Sequence, residues 1–220
     1  MKTVLAIAAC GPRLELALGT SPDATGVVAL AGQTPRSELV MAAVDLLLRG
    51  AGIDRDALDG VVASRGPGSF TGVRVALATA QGIAAALALP AHGFSSLLAQ
   101  AARADAPECL AVQPARRGFA YAQEFSRTGG RLAATGEPSI LAVEALAGAK
   151  LPVVAPAGFP LPPGTPLAAA PRSTAEALLV LLAAQAHPDP ATLAPIYMEP
   201  PAATPPTGAP PPWPPSPKVS

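Results

Sequence analysis

The residues best arranged for chemistry lie in one run, Arg65-Gly66-Pro67-Gly68-Ser69-Phe70-Thr71-Gly72-Val73-Arg74, which joins the apolar segment Val61 to Ser64 to a long apolar stretch beyond it. Gly66 and Gly68 permit positive φ or close backbone approach, and Pro67 fixes the turn between them at a φ of about −65°. Ser69 is placed to cap a helix by accepting a hydrogen bond from one of its first free N–H groups. Such a helix start, flanked by Arg65 and Arg74, attracts an anion through its dipole and N–H groups. The same residues also suit a turn with a purely architectural purpose, and both readings stand. Two phosphate loops are excluded. A Walker loop ends in Gly-Lys-Ser/Thr, whereas Gly72 is followed by Val73-Arg74. The dinucleotide fingerprint fails because three residues separate Gly68 from Gly72 and no acidic residue ends a suitable following strand.

Other reactive side chains are sparse. The histidines are His92 and His187, neither within a Cys/His/Asp cluster at ligand spacing, so no metal site is predicted. Ser69, Ser95, Ser96 and Cys10 are candidate nucleophiles, with His92 the one base near them in sequence, and acyl transfer would also need a group to hold that base. Cys10 and Cys109 are too few for a secreted disulfide framework and read as reduced cytoplasmic thiols. Gly11-Pro12-Arg13 interrupts the first apolar run, so residues 1 to 12 do not read as an export signal.

The motif run, with Ala78-Thr79-Ala80-Gln81-Gly82 and Pro90-Ala91-His92-Gly93-Phe94-Ser95-Ser96-Leu97, resembles the TsaB (YeaZ) family. Weaker echoes are Leu5-Ala6-Ile7, Arg36-Ser37-Glu38, Ala115-Arg116-Arg117-Gly118 before Tyr121, and Pro195-Ile196-Tyr197, so the resemblance spans about residues 1 to 200. It implies an α/β fold of two ribonuclease-H-like lobes in the actin/sugar-kinase-like superfamily, the second lobe reduced. It also implies a non-catalytic subunit that pairs with TsaD in adding threonylcarbamoyl to the adenosine beside the tRNA anticodon. The expected partners are a TsaD-like catalytic subunit, a TsaE-like ATPase, tRNA through the complex, or a second copy of the chain, with no membrane. ATP and metal are expected on the partner subunits and no cofactor on this chain alone. Where the superfamily ends its first strand in an acidic residue, and TsaB relatives commonly have Asp-Thr-Ser, this chain has Ile7-Ala8-Ala9-Cys10, and the hard oxygen ligand that magnesium favours is missing. Where the catalytic paralogue carries two metal-binding histidines, it has Arg36-Ser37-Glu38. A glycoprotease-like peptidase or a sugar-kinase-like ATPase is the alternative reading.

The elements that must position the motif follow from periodicity and turn residues. Thr3 to Ala9, Arg13 to Gly19 and Ala24 to Ala31 read as three strands in a meander. A helix capped by Ser37 runs to about Arg49, followed by a strand from Gly60 to Ser64 and a helix from Ser69 to about Leu89. Three strands, helix, strand, helix is the ribonuclease-H-like order. Beyond Pro90, a helix is expected from Ser95 to Ala104, strands over Glu108 to Val112, Gly118 to Glu124 and Pro152 to Ala155, a short helix near Val143 to Ala149, and a helix from Ser173 to Ala186. The predicted division is a first lobe over 1–102, a smaller second lobe over 103–199 and a tail over 200–220, in which ten of twenty-one residues are proline and disorder is expected.

A chain of 220 residues, 50% hydrophobic, can bury a sizeable core. Fifteen basic and fifteen acidic residues cancel, giving no overall electrostatic footprint for RNA. The two first-lobe helices carry more apolar surface than one sheet needs. From Leu39 to Leu48 only Asp45 is charged, and Gly68, Gly72, Ala76, Ala80, Ala84 and Ala88 form a ridge of small residues on the second helix. Either that helix is enclosed within the monomer or a partner's helices pack on it. On the second reading the expected contact residues are Leu39, Val40, Ala43, Leu46 and Leu47 on the first helix, with Phe70, Val73, Ala76, Leu77, Ala80, Ile83 and Ala84 on the second.

Overall fold

The computed structural model describes residues 2–184 and 193–199. The expectations for His187, for the end of the last helix at Ala186 and for the 200–220 tail lie outside the described residues. The first sheet contains β1 (Thr3–Ala8), β2 (Leu14–Thr20), β3 (Asp23–Leu30), β4 (Gly60–Ser64) and β5 (Ala91–Phe94), in the order β3-β2-β1-β4-β5. Short turns make β1, β2 and β3 an antiparallel meander, whereas β4 and β5 join in parallel. Each parallel pairing needs a crossover, supplied by α1 (Arg36–Ala51) and α2 (Phe70–Leu87).

Alternation along β1 assigns its side chains to two cores. Leu5 and Ile7 join Leu16, Leu18, Val61 and Ala63 beneath α1 and α2, while Val4, Ala6 and Ala8 join Ala17 and Val62 on the opposite face. Burial on both faces is why these strands read as nearly continuous apolar runs. α1 seats Val40, Ala43, Val44 and Leu47, at the spacing of a single helical stripe, and ends at Gly52 in the left-handed conformation.

The second sheet contains β6 (Glu108–Pro114), β7 (Phe119–Thr128), β8 (Arg131–Ala134), β9 (Ser139–Ala142) and β10 (Val153–Val154), ordered β10-β6-β7-β8 with β9 also paired to β7. α3 (Ser96–Ala101) packs on β6 and β7, and α4 (Thr174–Ala184) packs on β1 to β4 and on α3. These two helices therefore fill the space between the sheets, and α4 is buried at Ala175, Ala177, Leu178, Leu179 and Leu181. Buried Arg103 donates to the Gln100 Oε1 (2.8 Å) and to the carbonyls of Ala155 and Arg172, while Gln100 donates to the Thr174 hydroxyl. The Thr174 N–H donates to the buried Glu15 carboxylate at 2.6 Å. Each charge buried here thus has polar partners, as burial requires.

The α/β order of the first lobe matches the expectation, with differences in detail. Ser37 does not cap α1: Pro35 holds the cap position without a side-chain bond, and Ser37 lies inside the first turn. The helix expected from Ser95 to Ala104 is shorter, with Ser95 as its cap accepting from the Leu97 N–H. Val143 to Gly148 forms a 3-10 turn, and the strand expected at 152–155 contains only Val153 and Val154. β5, β8 and β9 were not expected, being four-residue strands without a run of β-branched residues.

Candidate functional site

The motif loop sits where the ends of β1, β4 and β5 converge. Arg65 donates its N–H to the Phe94 carbonyl at 3.0 Å, and the Gly66 N–H donates to the Ser96 hydroxyl at 3.1 Å. The Ser69 N–H donates to the Cys10 carbonyl at 2.9 Å, and the Gly72 N–H to the Ser69 hydroxyl at 3.2 Å, so Ser69 caps α2 as its position predicts. Two glycines are required by proximity. Gly68, at φ 151°, rests on the Cys10 carbonyl, and a Cβ at Gly72 would overlap the Ala9 carbonyl oxygen. The end of β1 and the start of α2 thereby touch backbone to backbone. Four loop N–H groups are engaged inside the chain, which favours the architectural reading of this turn over an anion cradle.

Arg36, known from the sequence only as part of a weak echo, fastens this junction. Its guanidinium donates to the Gly11 carbonyl at 2.7 Å and to the Ser69 hydroxyl at 3.3 Å, tying the start of α1 to the β1–β2 turn and to the cap of α2. Burial pulls its pKa below the ordinary arginine value.

The candidate nucleophiles are occupied by structural bonds. Cys10 is buried with Sγ 3.2 Å from the Ser64 hydroxyl, and burial pushes its thiol up despite the opposing influence of Ser64, Ser96, Gly66 and Arg36. A neutral buried thiol is a poor nucleophile. The Ser95 and Ser96 hydroxyls accept from backbone N–H groups. His92 lies on the edge strand β5, with Nδ1 buried and unpartnered, and its pKa is lowered by burial and by Lys2. No group of three or more His, Cys, Asp or Glu side chains among the described residues is placed to hold a metal ion.

The other notable feature is an apolar groove of about 850 Å³ between α1 and α2. Val40, Met41, Val44 and Leu48 line it from α1, and Val75, Ala78, Gly82, Ile83, Ala86 and Leu87 from α2. Asp45, Arg55 and Arg74 supply its charged margin. Among the expected contact residues, Ala43, Leu47, Val73, Ala76, Leu77, Ala80 and Ala84 are buried without lining the groove, whereas Val40 is buried yet reaches its floor. Leu46 is 60% exposed, and Leu39, Phe70 and Ile83 are half-buried.

The ridge of small residues faces inward: Gly72, Ala76, Ala80 and Ala84 are all buried, and α2 packs on β4 and β1. The physical reason is that the smallest residues belong where the helix approaches a strand backbone most closely. The outer face is therefore Thr71, Val75, Ala78, Thr79, Gly82 and Ala86, with Met41 of α1 beside it 55% exposed. A 100° step per residue separates these two faces in the sequence, but the step alone does not say which of them packs on the sheet. By length and composition α2 could also cross a membrane, but one side of it covers the first sheet.

The profile of the family described as "TsaD: tRNA N6-adenosine threonylcarbamoyltransferase" matches residues 20–168. The tRNA threonylcarbamoyladenosine biosynthesis protein TsaB of Haemophilus influenzae is 32% identical over 126 residues, covering 51% of this chain and 53% of that protein. Its Escherichia coli namesake is 35% identical over 95 residues, 41% of each. The chain thus spans about half the length of the curated relatives it matches, or less. Among solved structures, YeaZ from Pseudomonas aeruginosa superposes with a TM-score of 0.69 at 27% identity over 84% of this chain and 92% of that one. An uncharacterized protein with similarity to peptidase YeaZ from Pseudomonas aeruginosa gives 0.67 at 26% identity over 90% and 100%. On the family match and these likenesses, the chain belongs to the family described by the TsaD profile, as a TsaB/YeaZ-type member with an α/β fold of two sheets.

Proposed function

We propose that this chain is a non-catalytic scaffold subunit in the threonylcarbamoylation of tRNA adenosine, and that its α1–α2 groove seats a TsaD-like catalytic subunit. The observation that carries the proposal is the groove itself: aliphatic side chains, with Met41 exposed among them, on an otherwise well-packed lobe. Contiguous apolar surface of this kind marks interaction sites. Covering it removes apolar area from water at about 25 cal/mol per Å² before association costs are counted. Helices packed on α1 and α2 would complete a four-helix core, with Asp45, Arg55 and Arg74 at its rim setting orientation.

The chemistry is then supplied by the partners. A TsaD-like subunit carries the metal, a TsaE-like ATPase uses ATP, and tRNA is bound through the assembled complex in the cytoplasm. Without a TsaD-like subunit, a second copy of the chain takes the groove. In cells depleted of the chain, threonylcarbamoyladenosine in tRNA should fall; wild-type chain should restore it, and Met41→Glu should not, although it folds. Full restoration by Met41→Glu would refute the role of the groove, and an unchanged nucleoside level on depletion would refute the function.

A further inference from the structure

A second cleft, of about 480 Å³, opens between the two sheets, and one of its walls is Ile196 to Glu199 of the chain segment 193–199. The segment forms neither helix nor strand, and none of its residues is fully buried. It is nevertheless tied to both sheets. Toward the first, the Ile196 N–H donates to the Arg65 carbonyl at 2.7 Å, and the Tyr197 ring lies 5.2 Å from that of Phe70, which in turn carries the Arg74 guanidinium on its face at 4.0 Å. Toward the second, Met198 packs on the cluster containing Tyr121, and the Glu199 carboxylate pairs with Arg116 and accepts the Tyr121 hydroxyl at 3.1 Å. The motif loop is shaped for this crossing. Gly66 holds φ 97°, and a Cβ there would strike the Ile196 carbonyl oxygen, so the loop lacks a side chain where the segment passes over it.

We infer that residues 193–199 form a detachable latch across this cleft, with Glu199 as its catch on Arg116 and Tyr121. The grip is directional but slight. One backbone hydrogen bond, one tilted ring pair, one carboxylate and the partly buried Leu193 and Met198 side chains hold it, and the Arg116 side chain is 55% exposed to screening water. Segments with few buried contacts open locally, without unfolding of the whole domain. Opening removes the cover from the cleft and frees the Arg116 and Tyr121 pair, whose arrangement already accommodates a carboxylate. It also removes the ring that braces Phe70 at the start of α2.

Amide hydrogen exchange on the full chain tests this inference without reference to any partner. The Ile196 amide should be protected in the wild type, yet exchange faster than amides of β1 and α4. Glu199→Ala should speed it by about tenfold, as expected for loss of a charged hydrogen-bonded catch, and Tyr121→Phe by a smaller factor. Exchange in β1 and α4 should stay unchanged in both variants. The inference is overturned if Ile196 is unprotected in the wild type, exchanges only together with the core, or does not respond to Glu199→Ala.

Discussion

At the residue scale, the structure assigns the reactive side chains to packing. Cys10 and Cys109 are free, 2% and 1% exposed, and burial raises both thiol pKa values. Because the folded pKa lies above the unfolded one, the unfolded chain releases these protons first as pH rises. The resulting stability is complete below about pH 8.5 and declines through the folded values above it. Both thiols should therefore resist a thiol reagent at pH 8 in native protein and react at once in denaturant, and the melting temperature should drop as pH rises beyond 9. Rapid native labelling of Cys10 would show that its pocket opens. At the end of β1, Ala8-Ala9-Cys10 offers no carboxylate for magnesium, and Gly68 and Ser69 lie against the Cys10 carbonyl. The purified chain is accordingly expected to show no magnesium-dependent ATP hydrolysis above buffer; turnover that follows the folded chain through successive columns would reinstate the kinase-like alternative.

At the scale of elements, α2 has two sides with opposite tolerances. Gly72→Ala forces a methyl group into the Ala9 carbonyl and should destabilise by about 3 kcal/mol. Gly82→Ala, with nothing within 4 Å of the new Cβ, should stabilise the same helix by about 0.5 to 1 kcal/mol. Denaturant melts of the two variants check the pair. The helix itself was legible in the sequence, since Ser69 is a cap by residue type and position, and the apolar run that follows has helical length. Which way its small ridge faced was harder to read, because Ala and Gly suit a close helix partner and a close strand equally well. The contact between Gly72 and Ala9 selects the strand. β5 escaped notice because His92-Gly93 breaks any alternation, and its conformation comes from pairing with β4. Arg36 escaped because its partners, Gly11 and Ser69, are 25 and 33 residues away.

At the scale of the whole molecule, local pattern anticipated the first lobe's order but not the return of α4 onto β1 to β4, a packing decided by long-range burial alone. That return leaves the first sheet with helices on both faces, α4 inward and the α1–α2 pair outward, and the outward pair presents an apolar groove of about 850 Å³. The account's central claim is that this groove seats a TsaD-like subunit. Ala80 and Ala78 discriminate between core and groove: Ala80 is fully buried, and Ala78 is exposed on the groove's wall. Ala80→Arg should unfold the monomer by burying an unpaired charge. Ala78→Arg should leave the monomer intact by circular dichroism. The most direct measurement is the mass of the complex formed with a TsaD-like subunit, by light scattering after gel filtration, for wild type and Ala78→Arg. The account predicts a one-to-one complex for the wild type and separate monomers for the folded variant; a folded Ala78→Arg chain that still forms the complex at wild-type concentrations would contradict it.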